Sequence, residues 1–365
     1  MAAVLLALLL AGCGTGTSVS SSAPPQSAPS QAASQPVAEE GISLQDMNIN
    51  MLTGLARPEG MQQGQRPVAV MVANNRRALP QRGVAAADVV YEMVTEGGIT
   101  RLMAMYADYS TLPQVGPVRS GRDQFLQFAI ASAAIPVQIG ASVYANNLSS
   151  LLGYKVVDGI RLGTTAFYFD ESIAEPRPGG KLHEYCWVTD AGLLWSGMTY
   201  LDVYTTGEVA PLFWFADAAA AQKQEAYTIS LTFSDAMGAT FAYNAETGLY
   251  EKSIVYKTGE AEEIPHADED GTRLAYTNVL ALTDTVGLKP DGQCADFELE
   301  EGAGYYFTAG GVQQVTWKKG GPEQPLLLYG ADGEMVQVQR GKTYIGILSE
   351  DIADGIVYAP QQAAG

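Results

Sequence analysis

The sequence has few of the residues on which enzyme chemistry most often depends. Its 365 residues include three cysteines and two histidines. After Cys13 only Cys186 and Cys294 remain, which excludes a framework of disulfides. An oxidising compartment would allow these two to pair, but they lie far apart in the chain. We therefore expect two separately buried thiols.

Known catalytic motifs are also missing. The sequence contains no Gly-x-Ser-x-Gly elbow and no His-Glu-x-x-His helix. Gly341-Lys342-Thr343 ends like a phosphate loop, but Val336 stands where that loop needs its first glycine. We predict no cofactor and no metal site. His266 precedes an acidic turn that could attract a cation, although a solvated turn explains the same residues more simply.

Positive charge is scarce and unevenly placed. The chain has 21 Lys and Arg against 40 Asp and Glu, a net charge of −19. Residues 46–205 hold 12 basic and 14 acidic residues, whereas residues 206–365 hold 9 and 24. Ten of the 12 basic residues in the first part are Arg, and seven of the nine in the second are Lys. The guanidinium group of Arg binds a carboxylate or phosphate through two parallel hydrogen bonds. We therefore expect an anion site in residues 46–205. Nucleic acid is disfavoured as a partner.

Long apolar runs are missing too. The apolar start spans about ten residues, and a membrane-spanning helix needs roughly 20. This length is typical of a signal peptide, although the usual Lys or Arg at its start is absent. Leu10-Ala11-Gly12-Cys13 then reads as a lipoprotein cleavage box. The simpler alternative is a chance apolar start with an incidental cysteine.

A lipid on Cys13 would place the protein on the outer face of the cytoplasmic membrane. We expect residues 1–13 to be a lipoprotein signal peptide, with Cys13 as the site of lipidation. Residues 14–45 are rich in Ser, Ala, Pro and Gln, so they are predicted to be a disordered tether.

The rest of the chain predicts an α+β fold. In residues 46–205 short apolar runs alternate with helical segments, which indicates a mixed α/β layered N-terminal domain. In residues 211–360 short alternating runs are separated by turns such as Asp332-Gly333, which indicates a mainly antiparallel β C-terminal domain.

The strongest candidate site is the segment 116–123, Gly-Pro-Val-Arg-Ser-Gly-Arg-Asp. Ser120 is predicted to cap a helix running to about residue 134, with Asp123 as its capping-box partner. Cations at a helix start oppose the helix dipole, so Arg119 and Arg122 need another reason to be there. Either they converge on a bound carboxylate or phosphate, or they pair with nearby acids such as Asp123, Glu92 or Glu96.

Two further groups accompany these arginines. Glu96 and Arg101 flank the Gly97-Gly98 turn and could face each other across a hairpin, which would need no function. His183 lies in a loop of the Arg-rich part. It could act as a general base or as a donor to a ligand near Arg119, and a structural role is the alternative.

Several runs resemble the YerB-like lipoproteins, a two-domain bacterial family of unknown function found mostly in Gram-positive species. The runs that carry the resemblance are 50–54, 66–71, 87–92, 96–101, 116–122, 265–268, 277–279, 317–319 and 341–343. The resemblance implies a lipid-anchored envelope protein with an α/β first domain, and it implies no activity. In that family the loop histidine follows Ala-Pro and precedes Asn, whereas His183 lies between Leu182 and Glu184. This departure disfavours a catalytic His183.

The sequence therefore favours a membrane-anchored lipoprotein with a binding role at the cell envelope. Its ligand would be an envelope protein or an anionic cell-wall component. The predicted contact residues are Glu96, Arg101, Arg119, Ser120, Arg122 and His183. Two alternatives remain: an envelope phosphotransferase or hydrolase acting on an anionic wall substrate, and a solute-binding receptor.

Overall fold

The structure, a computed structural model, describes residues 48–174, 183–218 and 224–361. The predicted signal peptide, Cys13 and the predicted tether lie outside the described residues. Within these ranges no helix combines the length and the apolar character that a membrane span requires.

Helices make up the smaller part of the described chain. The α-helices are α1 (Asp123–Ala131), α2 (Val143–Leu151), α3 (Gly159–Leu162) and α4 (Ala191–Tyr200). Short 3-10 helices cover Arg76–Ala78, Val84–Ala86, Glu96–Gly98, Gly163–Thr165, Glu171–Ala174 and His183–Tyr185.

Strands dominate both parts of the chain. In the first part they are β1 (Val68–Ala73), β2 (Val89–Val94), β3 (Thr100–Tyr106), β4 (Ile135–Gln138), β5 (Val157–Asp158), β6 (Tyr168–Phe169), β7 (Trp187–Val188) and β8 (Trp214–Ala216). Those that follow are β9 (Gln224–Glu225), β10 (Thr228–Thr232), β11 (Met237–Asn244), β12 (Leu249–Tyr256), β13 (Glu262–Pro265), β14 (Ala275–Tyr276), β15 (Asn278–Asp284) and β16 (Val286–Leu288). The last are β17 (Ala295–Phe297), β18 (Glu301–Thr308), β19 (Gly311–Lys318), β20 (Leu327–Tyr329), β21 (Gln337–Gln339), β22 (Thr343–Ser349) and β23 (Ile356–Ala359).

One 11-stranded sheet runs through both parts of the sequence. Its order is β20-β19-β18-β15-β22-β2-β3-β1-β4-β5, and β9 pairs with β19. The join is made by β22, which pairs in parallel with β15 on one side and with β2 on the other. The central strands β1, β2 and β3 are buried almost throughout, which explains their nearly continuous apolar sequences.

A second sheet covers one face of the first. It has the order β13-β12-β11-β10-β23, with β14 on β12, and all its pairs are antiparallel. Ile229, Leu231 and Phe241 from this sheet pack in one apolar core with Val70 and Val90 of the large sheet. The opposite face of the large sheet packs against α1.

The α+β fold class predicted from the sequence is confirmed. The division into domains at 46–205 and 211–360 remains a prediction, and the large sheet crosses it. The predicted capping by Ser120 is wrong, because α1 begins at Asp123 and Arg122 occupies the N-cap position without a side-chain cap. Ser120 lies instead in extended backbone, where Arg119 N–H bonds to Met71 O and Gly121 N–H bonds to Gly140 O.

Candidate functional site

The predicted arginines meet at one edge of the large sheet. Strands β1, β2 and β4 run parallel to one another and end there at Ala73, Val94 and Gln138, and the antiparallel β3 begins there. Ligands of α/β sheets bind outside the carboxyl ends of parallel strands. The fold therefore places Arg101, Arg119 and Arg122 where a ligand would be expected.

Arg101 is the innermost of these residues, with 4% of its surface exposed. Its Nη1 donates to the carbonyl oxygen of Ser120 at 2.7 Å. Its Nε is buried and has no hydrogen-bond partner among the described residues. Burial lowers the pKa of Arg101 to about 9, and the neighbouring charge of Arg122 adds to that effect. A buried guanidinium in this state is costly unless something anionic faces it.

Arg122 and Glu96 form a two-pronged ion pair. Arg122 Nε donates to Glu96 Oε1, and Nη2 donates to Oε2 at 2.8 Å. Burial alone would raise the pKa of Glu96, but hydrogen bonds and attraction from Arg122 lower it overall. Glu96 is therefore ionised at neutral pH. The predicted partnership of Glu96 with Arg101 across the hairpin is not formed, because Arg122 takes both carboxylate oxygens.

Arg119 is the most accessible of the three arginines. Its guanidinium lies over the Tyr185 ring, 4.9 Å from the ring centre. The nearest described carboxylate is that of exposed Glu184, 3.8 Å from Arg119 Nη1. Arg119 Nη1 also donates to the carbonyl oxygen of Glu184 at 3.3 Å. Because ion pairs of this exposed kind contribute little, Arg119 has no strong anionic partner among the described residues.

Ser120 and His183 have smaller parts in the cluster. Ser120 Oγ donates to Ile139 O, in the loop after β4, at 3.0 Å. The carbonyl oxygen of Ser120 accepts the hydrogen bond from Arg101. The His183 ring stacks on Phe169 with ring centres 5.3 Å apart. His183 thus adjoins the cluster through its neighbours Glu184 and Tyr185.

Sequence reasoning missed one residue at this edge. Cys294 comes from the second part of the chain, and its thiol donates to Glu96 Oε1 at 3.3 Å. Burial raises the pKa of Cys294 to about 12, and its bonds to Asp291 and Glu96 act in the same direction. The thiol therefore stays protonated. Both Cys186 and Cys294 are buried, in accordance with prediction.

A second polar cluster lies deep between the two sheets. Lys252 Nζ lies 3.1 Å from Glu92 Oε2, and neither side chain is exposed. The expectation that Glu92 pairs with Arg119 or Arg122 is therefore wrong. Asp123 is the other acid expected to pair with these arginines. Its Oδ2 forms an ion pair with Lys289 Nζ instead, at a distance of 2.9 Å.

His266 belongs to this buried cluster. Its ring accepts from Lys252 Nζ at Nδ1, 3.2 Å away, and donates from Nε2 to Gln81 Oε1. Burial, with repulsion from Lys252 and Arg273, lowers the pKa of His266 far below its usual value. The ring is neutral, and a solvated turn is the wrong description of this residue. Nowhere in the described ranges do three or more His, Cys, Asp or Glu side chains group as metal ligands.

The fold and this edge define an α+β protein with an arginine cluster at the carboxyl ends of its parallel strands. The chain matches the family described as Protein of unknown function (DUF3048), in its N-terminal domain over residues 52–182 and in its C-terminal domain over residues 229–345. It belongs to this family, and the resemblance to the YerB-like proteins is confirmed.

One relative and one solved structure support this assignment. The chain is 26% identical over 303 residues to "Putative lipoprotein YerB" of Bacillus subtilis (strain 168), covering 82% of this chain and 86% of that protein. The crystal structure of YerB from Bacillus subtilis superposes with a TM-score of 0.70 at 24% identity, covering 84% of this chain and 98% of that one. The structural likeness establishes the fold.

Proposed function

We propose that this protein is a lipid-anchored lipoprotein of the cell envelope that binds an anionic group through Arg101, Arg119 and Arg122. The group would be a carboxylate or phosphate of a cell-wall component or of an envelope protein. The observation that carries the proposal is the buried guanidinium of Arg101, which has no carboxylate partner among the described residues and an unsatisfied Nε.

The balance of charge at the cluster supports an anion. Besides burial, the charges of Arg122 and Arg119 both lower the pKa of Arg101, and Glu96, which is hydrogen-bonded to Arg122, opposes that effect. Glu184 is exposed and 3.8 Å from Arg119, so it compensates little. A carboxylate or phosphate would supply acceptors for Arg101 Nε and for Arg119 in the forked geometry that guanidinium groups favour.

Binding is favoured over catalysis by the protonation states at the edge. Glu96 is held ionised by Arg122, and Cys294 is held protonated by burial. Neither group is poised near neutral pH, where a general acid or base works best. The cluster is thus suited to holding an anion in place.

Membrane anchoring rests on Cys13 and on the lipoprotein name of the Bacillus subtilis relative. Two acyl chains, at about 0.8 kcal/mol for each buried CH₂, would anchor the chain without a spanning helix. Growth with a clickable fatty acid tests this directly. The label should enter the wild-type chain and be absent from Cys13→Ser, and an unlabelled wild type contradicts the anchor.

The binding proposal is tested with the full-length protein in detergent. Inorganic phosphate, glycerol phosphate and acetate are titrated while the thermal midpoint is followed at constant ionic strength. At least one anion should raise the midpoint of the wild type and leave Arg101→Met and Arg119→Ala unchanged. Lys318→Ala removes an exposed cation on β19, where it pairs with Glu301, and is the control. Equal shifts in all four proteins would contradict the proposal.

A further inference from the structure

We propose that Lys252, Glu92 and Asn74 form an autocatalytic site that joins the Lys252 and Asn74 side chains through an amide bond. The three residues belong to the buried cluster between the sheets, which is separate from the arginine site. The amide would be a covalent modification of the mature protein.

The geometry places an amine and a carboxamide on one carboxyl group. Lys252 Nζ lies 3.1 Å from Glu92 Oε2, and Asn74 Nδ2 donates to Glu92 Oε1 at 2.9 Å. The exposed fraction is 0% for Lys252 and Glu92 and 1% for Asn74. These residues come from three places in the fold: Asn74 follows β1, Glu92 lies on β2, and Lys252 lies on β12 of the second sheet.

The surroundings polarise the reacting groups. Gln81 Nε2 donates to Asn74 Oδ1 at 3.2 Å, where negative charge would develop when an amine attacks the carboxamide. Thr100 Oγ1 and Tyr344 OH each donate to one oxygen of Glu92, at 2.7 and 2.8 Å, and fix the carboxyl group.

Water is kept away from this site by aromatic rings. Phe241 and Tyr276 pack on Tyr344 with ring centres 4.8 and 5.5 Å apart, and all three are fully buried. A dry site strengthens the contacts of Glu92 and protects an intermediate from hydrolysis.

The reaction balances without an outside reactant. Lys252 passes a proton to Glu92 and becomes a neutral amine, a step helped by burial, which lowers the pKa of Lys252 against the attraction of Glu92. The Nζ lone pair attacks Asn74 Cγ, Glu92 returns its proton to Nδ2, and one of the two protons still on Nζ passes to Glu92. The Cγ–Nδ2 bond breaks, ammonia leaves, and a Cγ–Nζ amide remains. One buried ion pair is thereby replaced by a neutral amide and a carboxyl group.

Peptide mass spectrometry of the denatured full-length protein tests this inference. The expected result is a branched peptide that joins Asn74 to Lys252 and is lighter by one ammonia than its two parts. Trypsin should not cleave after Lys252, whereas it should cleave after Lys257, whose amine donates to Thr232 and is the internal control. Unmodified Asn74 and Lys252 peptides from folded wild type would overturn the proposal.

Two variants locate the chemistry. Glu92→Gln removes the proton carrier, and Asn74→Ala removes the acceptor while leaving both charged partners. Each should abolish the branched peptide and restore cleavage after Lys252. Circular dichroism shows whether each variant is folded. If Glu92→Gln does not fold, the result for Asn74→Ala decides whether the amide bond forms at this site. A wild-type peptide that has lost water and joins Lys252 to Glu92 would overturn the assignment of Asn74.

Discussion

Arg101 Nη1 donates a 2.7 Å hydrogen bond to the backbone carbonyl oxygen of Ser120. This bond holds a buried guanidinium at the edge where β1, β2 and β4 end. It adds to the backbone hydrogen bonds of Arg119 and Gly121 that hold the segment before α1 in place. A single contact thus connects the shape of this loop to the charge of the proposed site.

Arg101→Met should keep or raise stability while abolishing anion binding. Replacing a buried, uncompensated charge by an apolar side chain of similar length is neutral or stabilising, here by up to about 2 kcal/mol. Urea unfolding without added anion measures the free energy of unfolding. Because a purely structural Arg101 would make the variant clearly less stable, a loss above about 3 kcal/mol would contradict the role in binding.

Glu96→Gln should strengthen anion binding at a small cost in stability. The substitution removes the carboxylate that occupies Arg122, so the positive charge facing a ligand rises. We expect several-fold tighter binding of the best anion and a loss of about 1 kcal/mol in the free energy of unfolding. Glu262→Gln breaks the surface pair with Arg76 and is the matched control. Weaker binding by the Glu96 variant would argue against competition at Arg122.

Lys252→Met should destabilise the protein strongly, by about 3–5 kcal/mol, because without the amine neither the ion pair with Glu92 nor the amide to Asn74 can form, and Glu92 is left buried without a cation. Adding Glu92→Gln in the same chain should restore part of that loss. A double-mutant cycle from chemical denaturation measures the coupling between the two sites. Strictly additive effects would show that the two side chains do not depend on each other.

Asp284 should make stability fall as the pH rises through 6. Its Oδ1 is buried and unbonded among the described residues, and burial raises its pKa to about 6 from the usual 3.8. Between pH 4 and 6 the folded form of this carboxyl binds a proton that the unfolded form has lost. The carboxyl therefore favours folding at low pH, and the advantage is lost near neutrality.

Asp284→Asn should remove that dependence. At pH 7 the variant should be more stable than the wild type by about 1 kcal/mol, and the difference should shrink as the pH falls to 4. Thermal midpoints at several pH values check both statements. A variant that is less stable at pH 7 would contradict the prediction.

The sequence predicts individual strands well where they are apolar and bounded by turns. The run 67–74 becomes β1, 88–95 becomes β2, and 343–348 becomes β22, each within one or two residues. The prediction that Ser120 caps the following helix, which rests on local sequence propensity, is wrong. There the hydrogen bonds of Arg119 and Gly121 to other segments, rather than capping by the serine, decide the backbone.

Contacts between distant segments could not be predicted. Cys294 reaches Glu96 across 198 positions, and Tyr344 reaches Glu92 across 252. No periodic pattern in the sequence specifies which strand edges will meet. His266 shows the same limit, because its acidic neighbours suggest solvent while the second sheet buries it beside Lys252.

The position of β22 bears on how the protein is made. This strand leaves the ribosome after both of its partners, yet it fills the middle of the large sheet between β15 and β2. Until it emerges, both neighbours have an unpaired edge that can pair with other chains. We therefore expect a growing chain to depend on protection from aggregation until β22 has been made.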